Sequence, residues 1–443
     1  MNVISQYGIS GHGASAVAES AERAIAQGRL APGSLLPPVR ALAAALGLSA
    51  ATVAAAYRTL RIRGLVSGEG RRGTRVVLRP PLPVRRTPPI VAPGARDLAE
   101  GNPDPVLLPD LRRALRGLPS RSSLYGDPAL LPALRRLATR QLTKDGIPTA
   151  HVAVVGGAMD GVERVLQAHL RPGDRVAVED PGYTGVLDLV PVLGLVPEPV
   201  AVDDFGPRPP ALEAALEAGA RAVIVTPRAQ NPTGAAFDLD RARDLRALLD
   251  RHPDVLLVED DHAGPVAGAP ALTLAHPRKP RWAVVRSVSK SLGPDLRLAV
   301  LAGDATTLSR VEGRQAIGAG WVSHLLQGAV AALWSDPGSE RRLRAAAEVY
   351  ARRRRALVEA LARHGIAARG RSGLNVWVPV PEEADLVARM AAAGWAVRAG
   401  EVYRLQSPPA VRITVSTLLP EDAPRVAAAL AAAQAATGRT PAA

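Results

Sequence analysis

Arg286-Ser-Val-Ser-Lys-Ser-Leu-Gly-Pro-Asp-Leu-Arg297 is the stretch on which the reading of this chain turns. It continues an apolar strand predicted at 283–288 and leaves Lys290 just past the strand end. The chain has 52 arginines but only three lysines: Lys144, Lys279 and Lys290. Lys144 stands beside Asp145 and Gly146, and Lys279 sits in the loop Pro277-Arg-Lys-Pro280. Only an amine can form a Schiff base, because a guanidinium stays protonated and non-nucleophilic. On these residues alone, Lys290 is either such an amine or a solvated surface lysine.

Outward from Lys290, short apolar strands alternate with helical segments. Strands are predicted at 152–155, 175–179, 222–226, 255–259, 283–288 and 298–302. This alternation predicts an α/β domain with a mainly parallel sheet covered on both faces. A long arginine-rich helix over about 339–364 follows. A smaller C-terminal α/β piece then holds strands at 376–380, 396–398 and 411–415, and a last alanine-rich helix from 421. Gly156-Gly-Ala-Met-Asp160 leaves one strand and opens a helix, presenting backbone N–H groups and the positive dipole end to a phosphate. Val258-Glu-Asp-Asp-His262 places carboxylates at the C-terminal sheet edge, where open α/β sheets bind ligands. That segment is either a partner for a protonated pyridine nitrogen or a solvated acidic turn. Asn231-Pro-Thr-Gly234 is a turn whose amide could donate to a phenolate.

The N-terminal part reads differently. Residues 1–96 carry 13 Arg, no Lys and three Glu, so ten of the fourteen net positive charges lie in the first fifth of the chain. A compact basic module on a near-neutral body points to a polyanion partner. Helices are predicted at 14–27, 37–45 and 49–63, with Gly47 stopping the second and Ser49 capping the third. Two short helices about a tight glycine turn have helix-turn-helix geometry, the third helix entering a DNA groove. Residues 64–77 alternate and turn like a β-hairpin, a wing tipped by Arg71 and Arg72. Six prolines between Pro80 and Pro93 make 79–96 an extended linker. The domains are thus 11–78, a linker at 79–96, and a body at 97–443.

Composition removes several classes. Without cysteine there is no disulfide, thiolate metal site or cysteine nucleophile. The eight histidines show no metal-ligand spacing, so no metal is expected. No Gly-x-Ser-x-Gly elbow marks a hydrolase. No apolar run approaches roughly 20 residues, and the N-terminus lacks a signal-peptide pattern. A cytoplasmic protein without membrane contact is the expectation. The run Arg352–Arg355 reads as a solvated or dimer-facing helix surface.

Taken together, the motifs resemble a known family over nearly the whole chain. Gly28-Arg-Leu-Ala-Pro-Gly33, Leu36-Pro-Pro-Val-Arg40, Leu46-Gly-Leu-Ser-Ala-Ala-Thr-Val53 and Tyr57 resemble the winged helix of GntR-type regulators. Tyr125-Gly-Asp-Pro, Glu179-Asp-Pro-Gly-Tyr183, Asn231-Pro-Thr-Gly, Glu259-Asp-Asp, Ser287-Val-Ser-Lys290, Arg297 and Arg412-Ile-Thr-Val follow the order of fold-type I aminotransferases, which use pyridoxal 5'-phosphate (PLP). The combination is similar to the MocR subfamily of transcriptional regulators. The expected fold is an N-terminal winged helix-turn-helix, mainly α, plus an α/β aminotransferase-like domain with a small C-terminal subdomain.

The resemblance implies roles. Lys290 would carry PLP as a Schiff base, Asp260 would pair with the pyridine nitrogen, and Asn231 would donate to the ring oxygen. Tyr183 would lie against the ring. The Ala158 and Met159 N–H groups, Ser287, Ser289 and Arg297 would hold the phosphate, and Tyr125 would reach the phosphate of a partner subunit. Arg412 would clamp the carboxylate of an amino-acid-like effector; on its own it is also readable as a surface strand arginine. Operator DNA would be met by Arg40, Ser49, Thr52, Arg58, Arg71, Arg72 and Gly73, the charged ones mostly at phosphates. Arg58 also fits a solvated helix face. The implied function is a dimeric, PLP-dependent regulator sensing an amine, an amino acid or PLP itself; the alternative is a working aminotransferase that carries a DNA-binding module. Two departures stand out. His262 replaces a tyrosine usual in the subfamily, altering the hydrogen bond to the ring oxygen. Ala50 replaces an arginine usual at the start of the third helix.

Overall fold

The computed structural model describes residues 7–62, 64–68, 73–77, 91, 94–118 and 123–437. The chain folds as two units, the first built on residues up to 84 and the second on most of the chain beyond.

In the first unit, α1 (Ala14–Ala26), α2 (Val39–Leu46) and α3 (Ala50–Ile62) precede the antiparallel pair β1 (Val66–Gly68) and β2 (Thr74–Val76). Val17, Leu42, Val53 and Leu60 are fully buried and form its core with Tyr57. Each such aliphatic side chain stabilises by roughly 1.5–3 kcal/mol when buried. Tyr57 donates to Pro37 O at 2.8 Å, and burial pushes its phenol above the usual range. Gly47 ends α2 in the left-handed conformation at φ 66°, which only glycine adopts freely. The Ser49 hydroxyl accepts from Thr52 N at 3.1 Å and so caps α3. The path bends by 118° between α2 and α3, within the helix-turn-helix range. The expected arginines at the wing tip, Arg71 and Arg72, lie outside the described residues.

The second unit begins with β3 (Arg96–Asp97), α4 (Leu111–Arg116) and α5 (Pro132–Lys144). Then come β4 (Val152–Val155), α6 (Ala158–His169), β5 (Arg175–Asp180), α7 (Thr184–Val192), β6 (Val196–Asp203), β7 (Gly206–Pro207), α8 (Pro209–Glu217), β8 (Ala220–Val225), α9 (Leu239–Asp250) and β9 (Leu256–Asp261). Next are β10 (Trp282–Ser287), β11 (Ala299–Gly303), α10 (Ala305–Ile317), α11 (His324–Ser335) and the long α12 (Pro337–Arg363). The C-terminal part holds β12 (Asn375–Pro379), α13 (Ala384–Ala392), β13 (Trp395–Ala396), β14 (Arg398–Ala399), β15 (Ala410–Thr414) and α14 (Ala423–Thr437).

Eight strands form one sheet in the order β4-β11-β10-β9-β8-β5-β6-β7. The pairs β10–β9, β9–β8 and β8–β5 are parallel, while β11 runs antiparallel to both β10 and β4. The parallel strands are buried on both faces, which matches their continuous apolar sequence. The six predicted strands are found, and β5 and β9 run on to include Asp180 and Asp261, whose carboxylates are buried and hydrogen-bonded. β6 and β7 were not expected. Val196-Pro-Glu-Pro-Val200 has two prolines and a charge, tolerable near a sheet edge and unlike a central strand.

The C-terminal piece is a three-stranded sheet, β12-β15-β14, packed on α12, α13 and α14 around Val376, Val411, Ile413, Met390 and Leu430. The arginine run in α12 corrects the expectation of a solvated surface. Arg352 and Arg355 are exposed, but Arg353 pairs with Asp104 at 2.9 Å. Arg354 is buried, donates to Gly373 O and Arg371 O at 2.7 and 3.1 Å, and burial pulls its pKa down to about 10. A helix turns 100° per residue, so four consecutive arginines point four ways, and those facing the protein need internal acceptors.

Candidate functional site

Register brings the predicted residues to one sheet edge. Asp260 lies beside Val285, and Ser287 lies beside Ala299, which pairs with Val155. The ends of β4, β9 and β10, and the start of β11, therefore face the same way. There the chain leaves β4 through Gly156 and Gly157 into α6, and leaves β10 toward Lys290.

Lys290 opens on a cavity that Asn231, Tyr183, His262, Asn375 and Arg412 also line. Its Nζ donates to Gly101 O at 2.6 Å. Arg412 Nη1 donates to Asn231 Oδ1 at 3.1 Å, Nη2 donates to Ala99 O, and the guanidinium lies 4.9 Å from the Tyr403 ring centroid. Burial lowers the Arg412 pKa from its usual value, and its Nε has no hydrogen-bond partner among the described residues. Asn375 Nδ2 also donates to Asn231 Oδ1, at 3.4 Å. Two donors on one amide oxygen settle which end of Asn231 is carbonyl, leaving its NH₂ as the donor for an occupant. Gln230 holds this loop from behind: its Nε2 donates to Glu179 Oε2 and Pro181 O at 3.1 and 2.8 Å.

Strand alternation sorts the three acids of β9. Glu259 accepts from Thr273 Oγ1, Leu274 N and Ala275 N. Asp261 accepts from Arg228 at 2.9 and 2.8 Å and from Arg286 at 2.8 Å, and these arginines hold its carboxyl far below the usual range. Asp260 points to the other face. It is 4% exposed, and its buried Oδ1 has no hydrogen-bond partner among the described residues. Burial, then the like charges of Asp261 and Glu179, push its pKa up to about 7. A buried anion short of a cation is what a protonated ring nitrogen would complete, so Asp260 fits PLP.

The phosphate end fits as well. Gly157 caps α6 at φ 106°, and a Cβ there would stand 3.1 Å from Arg297 Nη2, so the guanidinium closes over this turn. The Ala158 and Met159 N–H groups belong to the first turn of α6, which leaves early donors without intrahelical acceptors. Ser287 Oγ lies 3.1 Å from both Ser289 Oγ and Ser289 N. Tyr183 sits at the cavity beside Gly185, where a Cβ would come within 2.6 Å of its ring. His262 lines the cavity, and burial, then the Lys290 charge, bring its pKa down to about 4. It is a neutral imidazole at neutral pH. Tyr125 is not brought to this cavity: it is 93% exposed and packs edge-on against Trp321 at 5.4 Å.

Sequence reading missed Asn375, Arg398, Tyr403 and the segment Ala99–Asn102, all on the lining. The signal in Gly101-Asn-Pro103 was a turn just past the linker; Asn375 and Tyr403 carried none. In the first unit, Arg40, Ser49 and Arg58 are exposed and Thr52 is half-buried, with the Ser49 and Thr52 hydroxyls 2.8 Å apart at the start of α3. Gly73, at φ 94°, is exposed where β2 begins.

This fold and cavity define a PLP-binding domain of the aminotransferase type, in a chain that opens with a winged helix. Residues 95–430 match the aminotransferase class I and II family, and residues 14–76 match the bacterial regulatory proteins of the gntR family. The chain belongs to the aminotransferase class I and II family in its MocR-type form, a PLP-binding transcriptional regulator with a gntR-family DNA-binding module. It is 42% identical over 413 residues to the vitamin B6 salvage pathway transcriptional repressor PtsJ of Salmonella typhimurium, covering 93% of this chain and 96% of that protein. It is 28% identical over 428 residues to the HTH-type transcriptional regulator TauR of Rhodobacter capsulatus, covering 86% and 87%. In fold, the second unit is similar to Pyrococcus horikoshii kynurenine aminotransferase, with a TM-score of 0.71 at 23% identity over 78% of this chain and 92% of that one.

Proposed function

We propose that this chain is a cytoplasmic, homodimeric repressor of vitamin B6 salvage whose signal is PLP, or an amine captured by it, at the Lys290 cavity. The observation that carries the signal half is Asp260, a buried carboxylate whose Oδ1 has no partner among the described residues. The likeness to the Salmonella typhimurium repressor over nearly the whole of both chains supports the target. When bound, PLP supplies a carbonyl that amines capture and a ring that draws electrons from what is attached.

The chain's own groups do the rest. Lys290 holds the cofactor through its amine, and Asp260 keeps the ring nitrogen protonated. Asn231 donates to the ring oxygen, with neutral His262 nearby, and Tyr183 flanks the ring. Ala158, Met159, Ser287, Ser289 and Arg297 hold the phosphate. Arg412 receives the carboxylate of an amino-acid effector, giving up its contacts to Asn231 or Ala99. With an amine effector in the cavity, Lys290 would keep its amine on Gly101 O, at the start of the body, as it stands here, and this would shift the population competent for DNA. On the DNA, Arg40, Arg58, Arg71 and Arg72 contact phosphates, while Ser49, Thr52 and Gly73 approach the backbone or groove. Two copies place paired modules on repeated half-sites. Tyr125 and Leu124, both largely exposed, are covered by the second copy.

The test is binding of the purified protein to DNA upstream of its own gene and of vitamin B6 salvage genes, by fluorescence anisotropy with and without PLP, visible spectra being taken in parallel. Binding that changes with PLP in wild type and not in Lys290→Ala supports the reading; identical binding in all four conditions refutes it. The intact Arg412–Asn231 pair also favours turnover as a second reading. A visible band bleached by an amino acid and restored by a keto acid would establish it.

A further inference from the structure

On the sheet face opposite Asp260 lies a second cavity of about 600 Å³. It is formed by the C-terminal ends of α5 and α11 and the first turns of α12. This size suits a small organic ligand. One wall is apolar, with Leu137, Leu333, Leu343 and the half-buried Trp334. Five cations line it: Arg140, Lys144, Arg228, Arg286 and Arg344. Three anions, Asp145, Asp336 and Glu340, also line it, and Asp261 stands behind Arg228 and Arg286. Among the described residues named here, one positive charge is left over. Arg286 is 3% exposed; its Nη2 lies 2.7 Å from Asp145 but has no partner in hydrogen-bond geometry among the described residues.

We propose that this cavity is a second ligand site, taking a small aromatic carboxylate. The ring stacks on Trp334 against the leucines, and the single negative charge balances the surplus cation with Arg140, Lys144 or Arg344 at the mouth and Arg286 beneath. Lys144 thereby gains a place that the first cavity does not give it. The site is coupled to the Lys290 cavity through covalent neighbours. Arg228 precedes Asn231 by three residues and Arg286 precedes Lys290 by four, and both arginines hold Asp261, next to Asp260. An occupant that draws either arginine forward moves the segments that carry the first site.

The experiment is isothermal titration of the full-length, PLP-loaded protein with 2-naphthoate, with the visible spectrum recorded alongside. The expected result is one saturable site, weakened about tenfold or more by Arg140→Glu and by Arg344→Glu, both exposed positions that folding tolerates. Arg352→Glu, exposed further along α12, leaves it unchanged. Trp334→Phe retains binding and Trp334→Ala loses it, and the PLP band shifts with saturation in every variant that binds and in none that does not. No heat at millimolar naphthoate overturns the proposal. So does binding indifferent to Arg140→Glu and Arg344→Glu, or binding lost in Arg412→Lys alone, which places the acid in the first cavity. None of these outcomes depends on DNA binding.

Discussion

Without a cationic partner among the described residues, the buried carboxylate of Asp260 works against the fold. Its pKa stands at about 7 in the folded chain against an ordinary 3.8, so the folded state holds the proton more tightly than the unfolded state does. The stability linked to this group is complete below about pH 4 and lost as pH rises through about 7. In PLP-free protein, Asp260→Asn should therefore melt higher than wild type at pH 8, by an amount on the order of 1–3 kcal/mol, with the gap closing toward pH 4. The same variant should bind PLP about 10- to 100-fold more weakly, since it offers no charge to the ring nitrogen. Thermal melts at both pH values and a PLP titration check the two halves. His262, neutral down to about pH 4, should add nothing to the pH profile of PLP binding between about pH 5 and 8, so His262→Gln should leave its shape unaltered. Lys290→Ala should bind PLP only reversibly, losing it on dialysis where wild type retains it. Of these residues, Lys290 and the acidic segment 258–262 were legible as candidates at strand ends, and the family resemblance singled out Asp260. Tyr403 and Asn375 were not, because they come from another part of the chain with no local pattern.

At the level of elements, the start of α3 is where the first unit's fold and its proposed work coincide. Ser49 caps the helix, and removing a cap costs about 1 kcal/mol, so Ser49→Ala should lower the melting temperature of the first unit by a few degrees. Ala50 follows at an exposed position, where an arginine would meet phosphate on DNA and the positive helix end without it. Ala50→Arg should tighten operator binding and steepen the salt dependence, log K against log salt gaining a slope of about 1. Anisotropy titrations at several salt concentrations measure this. The helices and central strands followed from periodicity, capping and glycine stops. β6 escaped because its prolines argue against a strand, and only its place near the sheet edge makes them tolerable.

For the whole molecule, Tyr125 poses the decisive question. It lies outside its own chain's cavity and is almost fully exposed, so its proposed role needs a second copy. Sedimentation should give a dimer. Tyr125→Ala and Lys290→Ala chains, each defective alone, should form mixed dimers in which one cavity keeps both residues. About half the PLP sites of the mixed dimers would then bind with wild-type affinity, and PLP titration of co-expressed chains with different tags reads this directly. What the amino-acid sequence by itself determined was local and periodic: the helix-turn-helix and the αβ alternation. Each follows from interactions among residues near in the chain. What only the tertiary structure decided was which carboxylate stays unpaired, which arginines of the 352–355 run turn inward, and that Arg228 and Arg286 meet Asp261 beneath a second cavity. Burial and ion pairing join residues tens to hundreds of positions apart, and no local pattern records them.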